Sequence, residues 1–150
     1  MANSSENDSL HDIFICYDDR DKDMAQLLNE FLEKKRVKPW LYDKSMEWGG
    51  NSIHQGLHKG ILNSKSSVII VTQNILKNDS YASVEINMIF TKKVVLKNKD
   101  IFAIWHGVKR EDIALYNLDL AGVDGIPWEK GVDAVSDELI LRMRRGLLIG

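Results

Sequence analysis

Short continuous apolar runs alternate along the chain with stretches in which apolar residues recur at helical spacing. That alternation implies strands joined by helical crossovers, hence a parallel sheet covered on both faces. Asp12 to Tyr17 is continuous rather than alternating, as a strand buried on both sides should be. Met24, Leu27, Leu28, Phe31 and Leu32 then form one helical stripe. A second strand is expected over Lys38 to Tyr42, a polar loop over Asp43 to Asn51, and a helix from near Ser52 with Ile53, Leu57, Ile61 and Leu62 inward. Ser67 to Thr72, with four consecutive β-branched apolar residues, reads as the central strand. Asn78, Asp79 and Ser80 offer capping groups for a helix from Tyr81 into Thr91. Ile101 to Trp105 and Gly125 to Trp128 read as strands four and five, with a short helix over Arg110 to Tyr116 between them. A last helix begins around Asp133 to Ser136, carries Leu139, Ile140 and Met143, and is expected to end before Gly146.

Composition narrows this picture. The 150 residues suit one domain. Residues 1–10 read as a disordered polar tail, 11–146 as the folded domain, and 147–150 as the start of a linker to a further domain, for instance a fused sensor after Gly150. Twenty Lys and Arg against 22 Asp and Glu leave no excess positive charge for nucleic acid or an anionic membrane surface. The basic clusters Lys34-Lys35-Arg36 and Arg142 to Arg145 read as solvated helix ends. Cys16 is the single cysteine, so a reducing, cytoplasmic setting is the expectation, and in strand one it reads as buried and inert. His54 and His58 stand four apart, yet no third ligand has suitable spacing and position 55 is Gln, so no metal site is expected.

The third helix carries the main candidate for chemistry. At about 100° per residue, Ala82, Ile86, Ile89 and Phe90 share an arc that Tyr81 and Met88 continue, and Glu85 falls inside it. Ser83 and Asn87 fall on the opposite, wet face. A carboxylate on an apolar face loses hydration worth several kcal/mol unless a partner replaces it. Two readings stand side by side: a Glu at the edge of the face that reaches water or a lysine, or a carboxylate lining a pocket with Tyr81 as an aromatic wall. The second suits a ribosyl substrate, whose hydroxyls the carboxylate binds and whose anomeric positive charge it stabilises.

These landmarks together resemble the Toll/interleukin receptor (TIR) domain, in particular its bacterial, enzyme-type members. Asp12-Ile13-Phe14-Ile15-Cys16-Tyr17 resembles the family's first-strand box, with Cys16 in place of the common serine. Asp43 followed by Gly50-Asn51-Ser52-Ile53 is similar to the loop after strand two. Ser80 to Glu85 matches the helix that bears the family's catalytic glutamate, with Tyr81 where an aromatic precedes it by four. Ile104 to Val108 with Glu111-Asp112-Ile113 is similar to a segment of bacterial members.

The resemblance implies a flavodoxin-like three-layer α/β sandwich with a five-stranded parallel sheet. It also implies cleavage of the nicotinamide–ribose bond of NAD, which is substrate rather than cofactor, in defence or cell-death signalling. Glu85 is then the catalytic residue, and Tyr81, Tyr17, Asp18, Arg20, Asp43, Trp48, Gly50 and Ser52 are substrate-binding candidates. Arg20 offers a charge for pyrophosphate, opposed by Asp18 and Asp19. Trp48, between Lys44 and Gly50, is either a lid or self-association contact or folded back on the domain. The rival reading is a non-catalytic adaptor that binds other TIR domains through the 43–51 loop. A phosphoacceptor receiver, which shares this strand order, is excluded because strand three ends in Val71-Thr72-Gln73 without an aspartate.

Overall fold

The computed structural model describes residues 11–41, 59–97 and 100–149. Five strands, β1 His11–Cys16, β2 Pro39–Trp40, β3 Ser64–Val71, β4 Asp100–Trp105 and β5 Gly125–Pro127, form one parallel sheet in the order β2-β1-β3-β4-β5. This is the flavodoxin-like winding, with β1 and β3 adjacent at the point where the chain changes direction across the sheet. The helices are α1 Lys22–Lys34, α2 Gln73–Leu76, α3 Ala82–Leu96, α4 Arg110–Tyr116, α5 Leu118–Ala121 and α6 Val132–Ile149. Residues 59–62 are also helical and lead into β3.

The sheet separates two apolar clusters because successive strand residues face opposite ways. Phe14, Cys16, Ile69, Val71 and Ala103 point to one face and pack with Ala82, Ile86 and Ile89 of α3 and Ile113 of α4. Ile13, Ile15, Val68, Ile70 and Ile104 point to the other, where Leu28 and Leu32 of α1 and Val135 and Leu139 of α6 cover them. Both layers therefore derive from the unbroken apolar runs of β1 and β3.

Several boundaries differ from expectation. β3 begins at Ser64, earlier than its apolar run, because the Ser64 hydroxyl donates to Gly60 O at 2.7 Å and that of Ser66 to Asp12 O at 2.9 Å. A buried serine satisfied in this way sits in a sheet without penalty. β2 is limited to Pro39–Trp40, and β5 gives way at Trp128 to a 3₁₀ turn. Leu27 is exposed, so the inner stripe of α1 is Ala25, Leu28 and Leu32. α6 continues through Gly146 to Ile149, since one helical glycine costs only about 1 kcal/mol.

The basic cluster near α1 is also not simply solvated. Lys35 Nζ donates to Asp133 O and Oδ1, to Ser136 Oγ and to Asp137 Oδ1 at 2.6 to 2.9 Å, tying the end of α1 to the first turns of α6. Arg142 pairs with Glu138 and donates to Asp124 O. On α3, Lys92 is buried and its ammonium donates to the carbonyls of Ile61 and Ser64.

Candidate functional site at the carboxyl end of strands 1 and 3

β1 ends at Cys16, fully buried, and the next two residues remain inside, with Tyr17 and Asp18 almost inaccessible. The Asp18 carboxylate caps the 3₁₀ turn Asp19–Asp21, accepting from Arg20 N at 2.9 Å. It also takes the Arg20 guanidinium in a two-pronged pair at 2.8 and 2.9 Å. The same guanidinium reaches Asn74 O at 3.3 Å and Asp79 Oδ1 at 2.5 Å. One residue on, Asp21 accepts from Thr72 Oγ1 at 2.5 Å and Asn74 Nδ2 at 3.0 Å. The segment after β1 is thus laced to the segment after β3, which fixes the approach to α3.

These contacts set the charges. The Arg20 guanidinium holds the Asp18 carboxyl at about 2 against burial that pushes it up, with further help from the Arg20 amide and the Ser80 hydroxyl. Asp18 in turn, with Asp79, holds Arg20 above its ordinary value. A carboxyl depressed from 3.8 to about 2 contributes stability that is complete above pH 4 and is lost as pH falls through about 2. Asp18→Asn is therefore expected to cost on the order of 2 kcal/mol at pH 7 and to flatten the stability profile between pH 4 and 2, as urea denaturation across that range would measure. An unchanged acid slope would show that Asp18 is not the group responsible.

α3 follows Asn78, whose φ of +57° lies in the left-handed region that asparagine tolerates. Ser80 Oγ accepts from Ala82 N at 3.3 Å. Tyr81 stands at the N-cap, partly buried against the cluster that holds Cys16 and Ala82. Glu85 lies in the first turn and is 0% exposed, on the buried side with Ala82, Ile86 and Ile89. A carboxylate this close to a helix N-terminus lies in its favourable field. This burial excludes a Glu85 that reaches water; it is compatible both with a buried partner for the carboxylate and with a pocket.

One contact at the first turn of α3 has no counterpart in the sequence reading. Tyr116, at the end of α4, places its hydroxyl 2.9 Å from Ser83 Oγ, and Ser83 Oγ donates to Asn78 Oδ1 at 2.6 Å. Burial pushes the Tyr116 phenol up; the Ser83 bond opposes this, while the nearby carboxyl groups of Asp18 and Glu85 add to it. The helical projection places Ser83 on the wet face, and a tyrosine 33 residues away carries no short-range signal.

Asp18 and Arg20 are tied to the approach to α3 through Asp79 and Ser80, whereas Tyr17, a substrate-binding candidate in the sequence, is buried with Ile15, Ala25 and Leu28 on the opposite, α1 face of the sheet, away from Tyr81. Asp43, Trp48, Gly50 and Ser52, together with His54 and His58, lie outside the described residues. His106, at the end of β4, is bonded through Nδ1 to Glu129 Oε2 at 2.6 Å. Among the described residues no group of three or more His, Cys, Asp or Glu is arranged to hold a metal, and no helix is long and apolar enough to cross a membrane.

A five-stranded parallel sheet in this order, with a buried glutamate opening the helix after the central strand, defines a class of domain, and sequence comparison agrees. The chain belongs to the TIR domain family, whose sequence model matches residues 13–139. It is 26% identical over 136 residues to the NAD(+) hydrolase TcpA of Theionarchaea archaeon (strain DG-70-1), covering 90% of this chain and 40% of that protein. It is 26% identical over 133 residues to the 2' cyclic ADP-D-ribose synthase AbTIR of Acinetobacter baumannii, covering 88% and 48%. The chain spans less than half the length of these two relatives. In solved structures the same fold occurs in the TIR domain of the Toll-related receptor TRR-2 of Hydra magnipapillata, with a TM-score of 0.67, 16% identity and coverage of 89% and 98%. The RPS4 and RRS1 TIR domain heterodimer matches with a TM-score of 0.64, 14% identity and coverage of 91% and 97%.

Proposed function

We propose that this domain cleaves the nicotinamide–ribose bond of NAD and that Glu85 is the carboxylate that makes the cleavage fast. The observation that carries the proposal is a fully buried glutamate at the carboxyl end of a parallel sheet, where open α/β sheets take their ligands. The relatives named as NAD(+) hydrolases and as a cyclic ADP-ribose synthase support it.

The chemistry asks little else of the protein. The C–N glycosidic bond breaks with its electron pair moving to the pyridinium nitrogen, so nicotinamide leaves neutral and no general acid is needed. Positive charge develops at the anomeric carbon and ring oxygen, and the Glu85 carboxylate stabilises it in a site shielded from water. Water then forms the new C–O bond and loses a proton to solvent, giving ADP-ribose. An adenine nitrogen or a ribose hydroxyl of the same molecule gives a cyclic product instead. Tyr81 supplies an aromatic surface for a ring of the substrate. Arg20 is assigned to holding Asp18 and the approach to α3, because Asp18, Asn74 and Asp79 already engage its guanidinium.

A second reading, association with other TIR domains, is favoured by the outer face of α3. A groove of about 420 Å³ lined by Ile61, Leu62, Val84, Met88, Val95 and Leu96 runs there, and Val94 beside it is 73% exposed. Apolar surface of this kind marks protein contacts. The two readings are compatible, with assembly switching on cleavage in defence or cell-death signalling.

The test is nicotinamide release from NAD, followed by chromatography at high protein concentration with and without a crowding agent, for the wild-type and Glu85→Gln proteins. Equal release from both would end the catalytic assignment. No release from wild type under either condition would leave the domain as an interaction module.

A further inference from the structure

We propose that the outer side of α3 and the α4–α5 corner form one face that pairs with the same face of a second copy of this chain, in a self-complementary dimer. The proposal deepens the association reading and rests on it, not on the cleavage of NAD.

The outer side of α3 is flanked by two depressions. One is the apolar groove toward Leu62, and the other, of about 340 Å³, lies between α3 and α5 and is lined by Phe90, Val94 and Asp119. Asn87, Thr91 and Val95 line both and so form the ridge between them. Beside Asp119, Leu118 is 78% exposed, and Leu115, near the end of α4, is 90% exposed. The inward positions of these two helices are filled by Ile113, Leu120 and Ala121, so the two leucines contribute nothing to the core. A single exposed leucine is ordinary. Here two of them extend the exposed Leu62, Val84, Val94, Val95 and Leu96 into an apolar face shared by several elements, and a face of that extent marks a protein contact.

The charges around the face select its occupant. Lys59 precedes Leu62 by one turn and Lys97 follows Leu96, so cations stand on the groove side. Asp119 lines the second depression and Glu111 precedes Leu115 by one turn, so anions stand on the other. All four are exposed, and among the described residues none of their side chains is held in an ion pair or hydrogen bond. Arg110, the cation within α4, is engaged by Ala121 O and Asp124. A face that is positive at one end, apolar in the middle and negative at the other fits itself when one copy is turned by half a turn about the middle. Each charged end then meets its opposite, and Leu115 and Leu118 of each copy reach the groove of the other. An anionic membrane would be repelled by Glu111 and Asp119. Because α3 carries Glu85 on its buried side, the pairing bears on the helix that holds the candidate site.

The experiment is sedimentation equilibrium over a concentration series for the wild-type chain and variants. Wild type is expected to pass from monomer to dimer and no further, since an interface of this symmetry closes on itself. Leu115→Ser combined with Leu118→Ser is expected to raise the dimer dissociation constant at least about tenfold. Leu141→Ser, at an exposed leucine of α6 on the other side of the sheet, should leave it unchanged. Lys59→Glu with Lys97→Glu, and Glu111→Lys with Asp119→Lys, should each weaken pairing about fivefold. An equimolar mixture of these two charge variants should pair as wild type does, because every contact between ends is restored with its signs exchanged. Where a double variant lowers the thermal transition, its single substitutions replace it. A dimer indifferent to the leucine and charge variants would overturn this face and leave association through another surface. A chain that stays monomeric throughout would overturn the self-pairing and leave the face to a different TIR domain, and growth beyond the dimer would overturn the symmetry. Nicotinamide release enters none of these outcomes, so the pairing and the cleavage stand or fall separately.

Discussion

Glu85→Gln is expected to slow nicotinamide release by roughly 10²- to 10³-fold, the size of effect seen when one preorganised electrostatic group is removed from an active site. The side chain keeps its length and shape and can still accept a hydrogen bond from a ribose hydroxyl. It loses the negative charge that answers the positive charge of the transition state. The loss should therefore fall on kcat, with KM changed little, since ground-state binding and transition-state stabilisation are separated by this substitution. The cooperative thermal transition should persist, because a neutral amide is easier to hold in a dry interior than a carboxylate. Retention of more than a tenth of wild-type release would assign the chemistry elsewhere.

The second large effect separates the two faces of the sheet. Phe14 lies mid-strand in β1, paired in register with Trp40 and Ser67, and is wholly buried in the cluster under α3. Leu28, on α1, is equally buried against the opposite face of the sheet. Phe14→Ala is expected to cost about 3–5 kcal/mol and Leu28→Ala about 2–5 kcal/mol. Each is a large part of the roughly 5–15 kcal/mol that holds a domain of this kind together. Urea denaturation should thus show comparable losses, whereas turnover measured well below the transition should fall for Phe14→Ala and hold for Leu28→Ala. Ala82 and Ile86, which flank Glu85, rest on the Phe14 side. Equal turnover in the two variants would mean that the position of α3 does not depend on that footing.

Much of this architecture was legible from local pattern. The unbroken apolar runs of β1 and β3 determine a two-sided parallel sheet, and the burial of Glu85 follows from its place among Ala82, Ile86 and Ile89. The same arc fails toward the end of α3. Lys92 is buried because two backbone carbonyls receive it, while Val94, Val95 and Leu96 are exposed. Neither outcome is encoded in hydrophobicity. Ser66 reads as loop because its hydroxyl finds its acceptor, Asp12 O, only once β1 and β3 have come together, and Ser64 because its hydroxyl bonds back to Gly60 O, a contact hydrophobicity does not encode. Tyr116 was invisible for a related reason: its partner Ser83 belongs to another element, and its role is defined by a bond rather than by a periodicity.

The lacing of Arg20 and Asp21 to residues 72–79 has a kinetic meaning. Those bonds join positions 51 to 59 residues apart, and the Ser83–Tyr116 bond spans 33. Helices such as α1 form from neighbouring residues, but these contacts require the chain to close long loops first, and such closures come slowly. The pairing of β1 with β3 joins residues equally far apart, so these side-chain bonds can form only with that pairing, and any opening of it takes the site apart.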